Sequence, residues 1–198
     1  MVEKRNPQEV RKSILEAANT CFAEMGVKKA TMSKIADRAG VTIHDITSFF
    51  GNKSLLILNA QNEEIDHMQQ EYLEKMPDAS LGETVKFIIR TRLDFVETHK
   101  DQTKLFVTNA LMGREPWSSG LDQVIWRLSI EFATLFEKGV RNGEIRKDAN
   151  VNAAVRAMIS FYLTSMVTVG IRADDFKADT VFSFMEPQID LLLDGLRA

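Results

Sequence analysis

Apolar residues recur at intervals of three and four along most of the chain, the spacing of helices that bury one face. Asn6-Pro7 supplies an N-cap side chain followed by proline at the first helical position. Ile14, Leu15, Ala18, Phe22 and Met25 continue the stripe, and Gly26 stops it. Thr31 caps a short second helix that carries Met32, Ile35 and Ala36. Gly40, free to adopt positive φ, makes the tight turn Ala39-Gly40-Val41. Thr42, with Asp45 three residues on, opens a third short helix ending near Phe50-Gly51. Asn52 caps a longer fourth helix that runs to about Lys75, ahead of Pro77. Ser80 with Glu83 is a capping box opening a fifth, to about His99. Further helices are predicted at about 102–113, 119–141, 151–171 and 179–196. Strand-like stretches with turn dipeptides are missing, so the pattern predicts an all-α chain of about nine helices.

Composition adds a division to this picture. The 198 residues are 44% hydrophobic and 27% charged, which is globular. Residues 1–53 hold nine Lys/Arg and six Asp/Glu, a net of +3, whereas residues 54–198 hold sixteen and twenty-two, a net of −6. A basic head on an acidic body points to a head that meets phosphates and a body that does not. Domains 1–53 and 54–198 are expected on that ground. The overall charge of −3 excludes a wholly basic coat for nucleic acid. The single cysteine, Cys21, excludes an intramolecular disulfide or a multi-thiolate metal site and reads as a buried thiol. The opening residues lack the apolar segment of a signal peptide. The longest uncharged run, fifteen residues between Arg156 and Arg172, is short of the roughly 20 that a membrane span needs. A soluble, cytoplasmic chain with no membrane partner is expected.

Two short helices joined by a glycine turn have the geometry of a helix-turn-helix, whose second helix enters the major groove. The first turn of that helix, Thr42-Ile43-His44-Asp45, carries side chains able to donate, accept or touch a thymine methyl. The same pattern also joins helices in ordinary bundles. The wider stretch is more specific. Residues 11–56 resemble the N-terminal domain of TetR-like transcriptional regulators through Ile14-Leu15, Ala17-Ala18, Phe22, Gly26, Thr31-Met32, Ile35-Ala36, Ala39-Gly40-Val41, Phe50, Lys53 and Leu55-Leu56. The resemblance implies a three-helix DNA-binding head and a helical body that binds an inducer and dimerises.

It also implies roles, position by position. Thr31 would cap helix two and offer its hydroxyl and amide to a phosphate; Thr42 would cap the recognition helix beside the backbone. Ile43, His44, Asp45 and Thr47 would face bases or the groove, and Lys53 would hold a phosphate at the start of helix four, where the helix terminus also favours an anion. This sequence departs from the family at His44, usually a small residue, and at Thr47, usually Tyr and here too short both to pack and to reach a phosphate. Ser48 and Phe49 also replace the common residues at their positions. Asp45 either accepts a bond from cytosine N4 or only closes a capping box with Thr42. Of the nearby cations Lys28, Lys29, Lys34 and Arg38, one or two are expected on phosphates.

In the body, Arg92 sits in the apolar seam Leu81, Val85, Ile88, Phe95 and His99. A buried arginine needs a partner. It pairs with an acid of a neighbouring helix, turns to solvent, or meets an anionic head group with His99 nearby. Asn109, between Phe106 and Met112, is a further polar candidate. The resemblance places an inducer pocket among these helices and the two after them, adding Trp126, Met158 and Tyr162. The ligand is expected to be mainly apolar, with an anionic group if Arg92 meets it. Val155, Met158, Ile159, Tyr162, Met166 and Val169 on one helix form an apolar surface, as do Val181, Phe184, Met185, Ile189, Leu192, Leu193 and Leu196 on the next. Each surface alone would serve as internal core. The resemblance implies that helices 151–171 and 179–196 pair with those of a second subunit, setting two recognition helices about 34–36 Å apart on a palindrome.

Catalysis is not expected. The three histidines lie outside any nucleophile motif and no Gly-rich phosphate loop is present. His67 and Glu71, four apart, read as an exposed acidic helix rather than a metal site, so neither metal nor cofactor is expected. The functional expectation is a ligand-responsive regulator released from a palindromic DNA operator by a small molecule. The alternative is a helical ligand-binding or interaction protein whose head no longer reads DNA.

Overall fold

The computed structural model describes residues 6–173 and 175–198; residues 1–5, part of the segment read as lacking a leader, lie outside it. Among the described residues there are nine α-helices: α1 (Pro7–Lys29), α2 (Met32–Ala39), α3 (Ile43–Phe50), α4 (Lys53–Glu74), α5 (Leu81–Thr98), α6 (Lys100–Leu111), α7 (Trp117–Asn142), α8 (Val151–Ser165) and α9 (Ala178–Asp194). A π-helical segment, Met166–Ile171, continues α8. Among the described residues the one bridge between extended residues, Ile145 with Arg197, is isolated.

The expected caps are formed. Asn6 accepts from the Gln8 amide, Thr31 from Lys34, Thr42 from Asp45 and Ser80 from Glu83. At Thr42 and at Ser80 the acidic residue also bonds back, completing both capping boxes. Gly40 adopts φ 66° and ψ 40°, the left-handed turn between α2 and α3 that a side chain with a Cβ disfavours. The expected stop at Gly26 is a kink instead. Gly26 takes φ 75°, and Val27–Lys29 make a further turn before Ala30. α6 begins at Lys100, immediately after the His99 C-cap of α5, and so starts two residues ahead of its predicted position.

The described residues form two compact units. The first comprises 6–70 and 101–118; the second comprises Glu71–Lys100 and Ser119–Ala198 without residue 174. The charge boundary at residue 53 therefore falls inside the first unit. Its packing continues into α4, where Leu56, Ile57 and Ala60 are buried and Asn19 of α1 donates to the Ala60 carbonyl and to Glu64. The core of this unit is Ile14, Leu15, Ala18, Phe22, Ile35, Ala36, Ile46 and Phe50. Cys21 is buried there too.

In the second unit α5 and α8 both pack on α9. Val85, Ile88, Ile89 and Leu93 of α5, Leu128, Phe132 and Phe136 of α7, Met158 of α8, and Met185 and Ile189 of α9 are all buried. The residues read as a dimer surface are mostly core of this single chain. Val155, Met158, Ile159, Tyr162, Met166, Val181, Met185, Ile189 and Leu196 are buried, because the stripes of α8 and α9 face one another. Phe184 and Leu191 are the large apolar side chains that α9 leaves exposed. Val151–Ile171 is one continuous helical stretch, longer than the fifteen-residue uncharged run. By length and composition it could cross a membrane, yet half of its most apolar 18-residue window is buried inside the fold, as in a core helix.

Candidate nucleic-acid interface and ligand-binding residues

The recognition-helix candidates sit on α3, held by its two buried residues, Ile46 and Phe50. Ile43 is 46% exposed, and His44, Thr47 and Ser48 are exposed with it. Thr42 is fully engaged in the cap. Its hydroxyl accepts from the Asp45 amide at 3.1 Å and donates to the Asp45 carboxylate at 2.7 Å. Asp45 also accepts from the Thr42 amide at 2.8 Å, and these bonds, the hydroxyl's first, hold its carboxyl below the usual range. The capping geometry of Asp45 is thus present, and it uses one carboxylate oxygen. Thr47 donates to the backbone carbonyls of Ile43 and His44, and Ser48 to that of His44. Phe49, absent from the candidates, is exposed beside them. Its proximity in sequence to the buried Phe50 gave no signal for this; only the angular position on α3 separates the two.

Thr31 uses its hydroxyl oxygen to accept from Lys34, which leaves the hydroxyl hydrogen available. Lys53 is half-buried, and its ammonium donates to the Val27 carbonyl at 2.7 Å; burial lowers its pKa. That bond ties the start of α4 to the last turn of α1. Two donor hydrogens of the ammonium stay available. Of the four neighbouring cations, Arg38 pairs with Glu24 at 2.6 Å and Lys34 donates to the Lys29 carbonyl. Lys28 and Lys29 form no ion pair among the described residues, and both line a cleft of about 560 Å³ within the first unit.

The nine ligand candidates are divided between the units. Phe106, Asn109 and Met112 belong to the first. There Phe106 is buried edge-on to Trp117, and Asn109 donates to the Leu105 carbonyl and accepts from Arg114. Met112 is 67% exposed. It stands beyond the last turn of α6, just before the left-handed Gly113, where no apolar neighbour covers it.

The other six belong to the second unit. Arg92 is paired with Glu131 of α7 at 2.6 Å, with both side chains nearly buried. The acid of a neighbouring helix is therefore present, and a ligand carboxylate would have to displace it. The Arg92 guanidinium also lies 5.9 Å from the centre of the buried Tyr72 ring. Arg92 Nε and Tyr72 Oη are buried without a hydrogen-bond partner among the described residues. Burial pushes the Glu131 carboxyl up, to about 7, and Tyr162, buried beside the pair, is pushed up by the same cause. The guanidinium against Glu131 opposes that rise. Met158 is buried, and His99 stacks on Phe95 at 4.2 Å while its Nδ1 meets the Phe95 carbonyl. Trp126 is 66% exposed, whereas Leu128, Phe132 and Phe136 form the buried face of α7. Glu131 and Tyr72 were missed from sequence. Glu131 had a signal, as an acid inside the stripe Leu128, Phe132, Leu135 and Phe136. Among the described residues no group of three His, Cys, Asp or Glu is placed to hold a metal ion.

Residues 14–60 match the family described as bacterial regulatory proteins, tetR family. The chain is 29% identical over 155 residues to YhgD, an uncharacterized HTH-type transcriptional regulator of Bacillus subtilis, with 77% of this chain and 80% of that one covered. It is 24% identical over 202 residues to the HTH-type transcriptional repressor KstR2 of Rhodococcus jostii, covering 94% and 90%. Among solved structures, the transcriptional regulator FadR from Bacillus subtilis in complex with stearoyl-CoA superposes with a TM-score of 0.64 at 19% identity, covering 94% of this chain and 99% of that chain.

Proposed function

We propose that the chain is a DNA-binding transcriptional regulator of the tetR family, whose model residues 14–60 match, and that it is a homodimeric repressor released from a palindromic operator by a small, mainly apolar molecule. The observation that carries this reading is the head. α2 and α3 are each fixed by an N-cap and joined through a left-handed glycine. They present an outer face of Ile43, His44 and Thr47 above a closed apolar core. Ile43 and His44 lie in the first turn, where side chains reach base edges in this docking geometry. Thr31 and Lys53 are assigned to phosphates, each with a donor left over from its internal bond.

Pairing of two copies is assigned to the outward faces of α8 and α9. α8 and the π-helical segment after it turn Ala153, Arg156, Ser160, Thr164 and Thr168 outward, with Arg156 adding a charge to that face, and α9 adds Phe184 and Leu191. A two-fold axis there would make the contact self-complementary and set two heads on one duplex. For the inducer, the Arg92–Glu131 pair supports an apolar molecule over a simple carboxylate, since the guanidinium already has its counter-charge. FadR of Bacillus subtilis, of the same fold, was solved in complex with stearoyl-CoA, whose acyl chain alone matches the apolar part of the proposed inducer. The inducer acts only through unequal affinity for the two states of the dimer; equal binding would shift nothing. α4, continuous from Lys53 to Glu74, is the proposed coupling element.

The test is selection of duplexes by the purified protein from a random pool. An enriched palindrome with half-sites one helical turn or a multiple apart is the expected result. A pool that stays random, from protein freed of copurified ligand, would favour the alternative of a head that no longer reads DNA.

A further inference from the structure

The cleft of about 560 Å³ in the first unit lies away from every residue assigned above to base contact. One wall is the C-terminal turn of α1 beyond the Gly26 kink, with Lys28 and Lys29. The other is a single face of α6: Asp101, Lys104, Leu105 and Thr108 follow the spacing of one helical stripe. Arg114 closes the end past α6, steadied by its bond to Asn109 at 3.0 Å. Four cationic residues and one carboxylate residue thus line the cleft. Lys28, Lys29 and Lys104 have no ion pair among the described residues, and the Arg114 bond is to a neutral amide. Met25, Val27 and Leu105 give the same cleft an apolar floor.

A concave surface of this size falls in the range of small-molecule sites. Cations gathered with low-dielectric walls raise the local concentration of anions. Their natural occupant is an oxyanion that accepts several charge-assisted hydrogen bonds, with the planar guanidinium suited to a phosphate or carboxylate. We propose that this cleft is a second ligand site, distinct from the inducer residues of the second unit, and that it takes a small polyanion bearing phosphate or carboxylate groups. Its position gives the occupant an effect. Val27, in the cleft wall, accepts the Lys53 ammonium at 2.7 Å, and Lys29 stands two residues before the α2 N-cap Thr31. An anion that draws Lys28 and Lys29 inward would shift the turn on which Lys53 and Thr31 depend. That consequence rests on the DNA-binding reading; anion binding does not.

The probe is inorganic pyrophosphate, titrated calorimetrically into the full chain without DNA and at constant ionic strength. The comparison is a Lys104→Gln/Arg114→Gln double variant shown by circular dichroism to be folded. Saturable binding to the wild type, weakened about tenfold or more in the double variant, is expected from losing two charge-assisted contacts. No saturable heat with the wild type, or equal affinity in the variant, overturns the site. The same variant is then titrated with salt on duplex DNA. An unchanged salt slope is expected. A slope reduced by about one for each cation removed would overturn the proposal by giving these cations to DNA phosphates. The DNA-free arm separates failure of this site from failure of the DNA-binding reading.

Discussion

At the scale of single residues, the pair Arg92–Glu131 decides most. Two nearly buried charges stabilise little as a pair, but removing one leaves the other unpaired, which costs about 3–5 kcal/mol. Glu131→Gln should therefore lower unfolding free energy by about that amount in chemical denaturation, whereas replacing both by Met and Leu should cost far less. The pH dependence has a defined sign. Burial alone raises the Glu131 carboxyl from 4.5 to about 7, so folding would bind a proton and stability would fall as pH rises through that window. The guanidinium of Arg92 opposes this in the wild type. In Arg92→Met the opposition is gone, and stability should drop more steeply between pH 5 and pH 8 than in the wild type; parallel profiles would show that Glu131 does not gain a proton there. In the head, Lys53→Met keeps the aliphatic stem and should flatten the salt dependence of DNA binding by about one unit. An unchanged slope would restrict Lys53 to its bond with Val27.

At the scale of elements, the helix ends were legible because they are local chemistry. Asn6-Pro7, Thr31, Thr42-Asp45 and Ser80-Glu83 each announce a cap with their own side chains, and each is formed. What a stripe packs against is not local, and there the sequence stopped being informative. The apolar stripes of α8 and α9 satisfy one another inside the chain, although a second subunit would explain the same residues. Arg92 was legible as a buried charge in need of a partner. Its choice of Glu131 depends on how α7 lies beside α5, which the period of neither helix fixes. The cleft beside the α1 kink was illegible for the same reason, since its cations come from residues 28–29, 104 and 114. Close packing at the π-helical segment makes one element-scale prediction. A Cβ on Gly170 would overlap the Phe176 ring and come within 3.3 Å of Val181. Gly170→Ala should destabilise by about 1–3 kcal/mol, read as a lowered unfolding midpoint. An unaltered midpoint would mean that this segment gives way without strain.

At the scale of the whole molecule, assembly and DNA reading stand or fall together, because a palindrome requires two heads. Leu191, 76% exposed on α9, and the exposed Phe184 are the apolar groups whose burial the dimer proposal needs. A Phe184→Glu/Leu191→Glu variant should sediment as a monomer and lose affinity for a palindromic duplex, while a single half-site is bound as weakly as before. A variant that stays dimeric would move the interface elsewhere. The central claim is that α3 reads sequence as part of a dimer, and the most direct measurement is the affinity ratio between the selected palindrome and a scrambled duplex of equal length at one fixed salt concentration. A ratio of about 10³ or more is expected for the wild type. It should fall toward one when Ile43 and His44 are both replaced by Ala, with the salt slope retained. A wild-type ratio near one, with the same salt slope on both duplexes, would show that α3 does not read sequence.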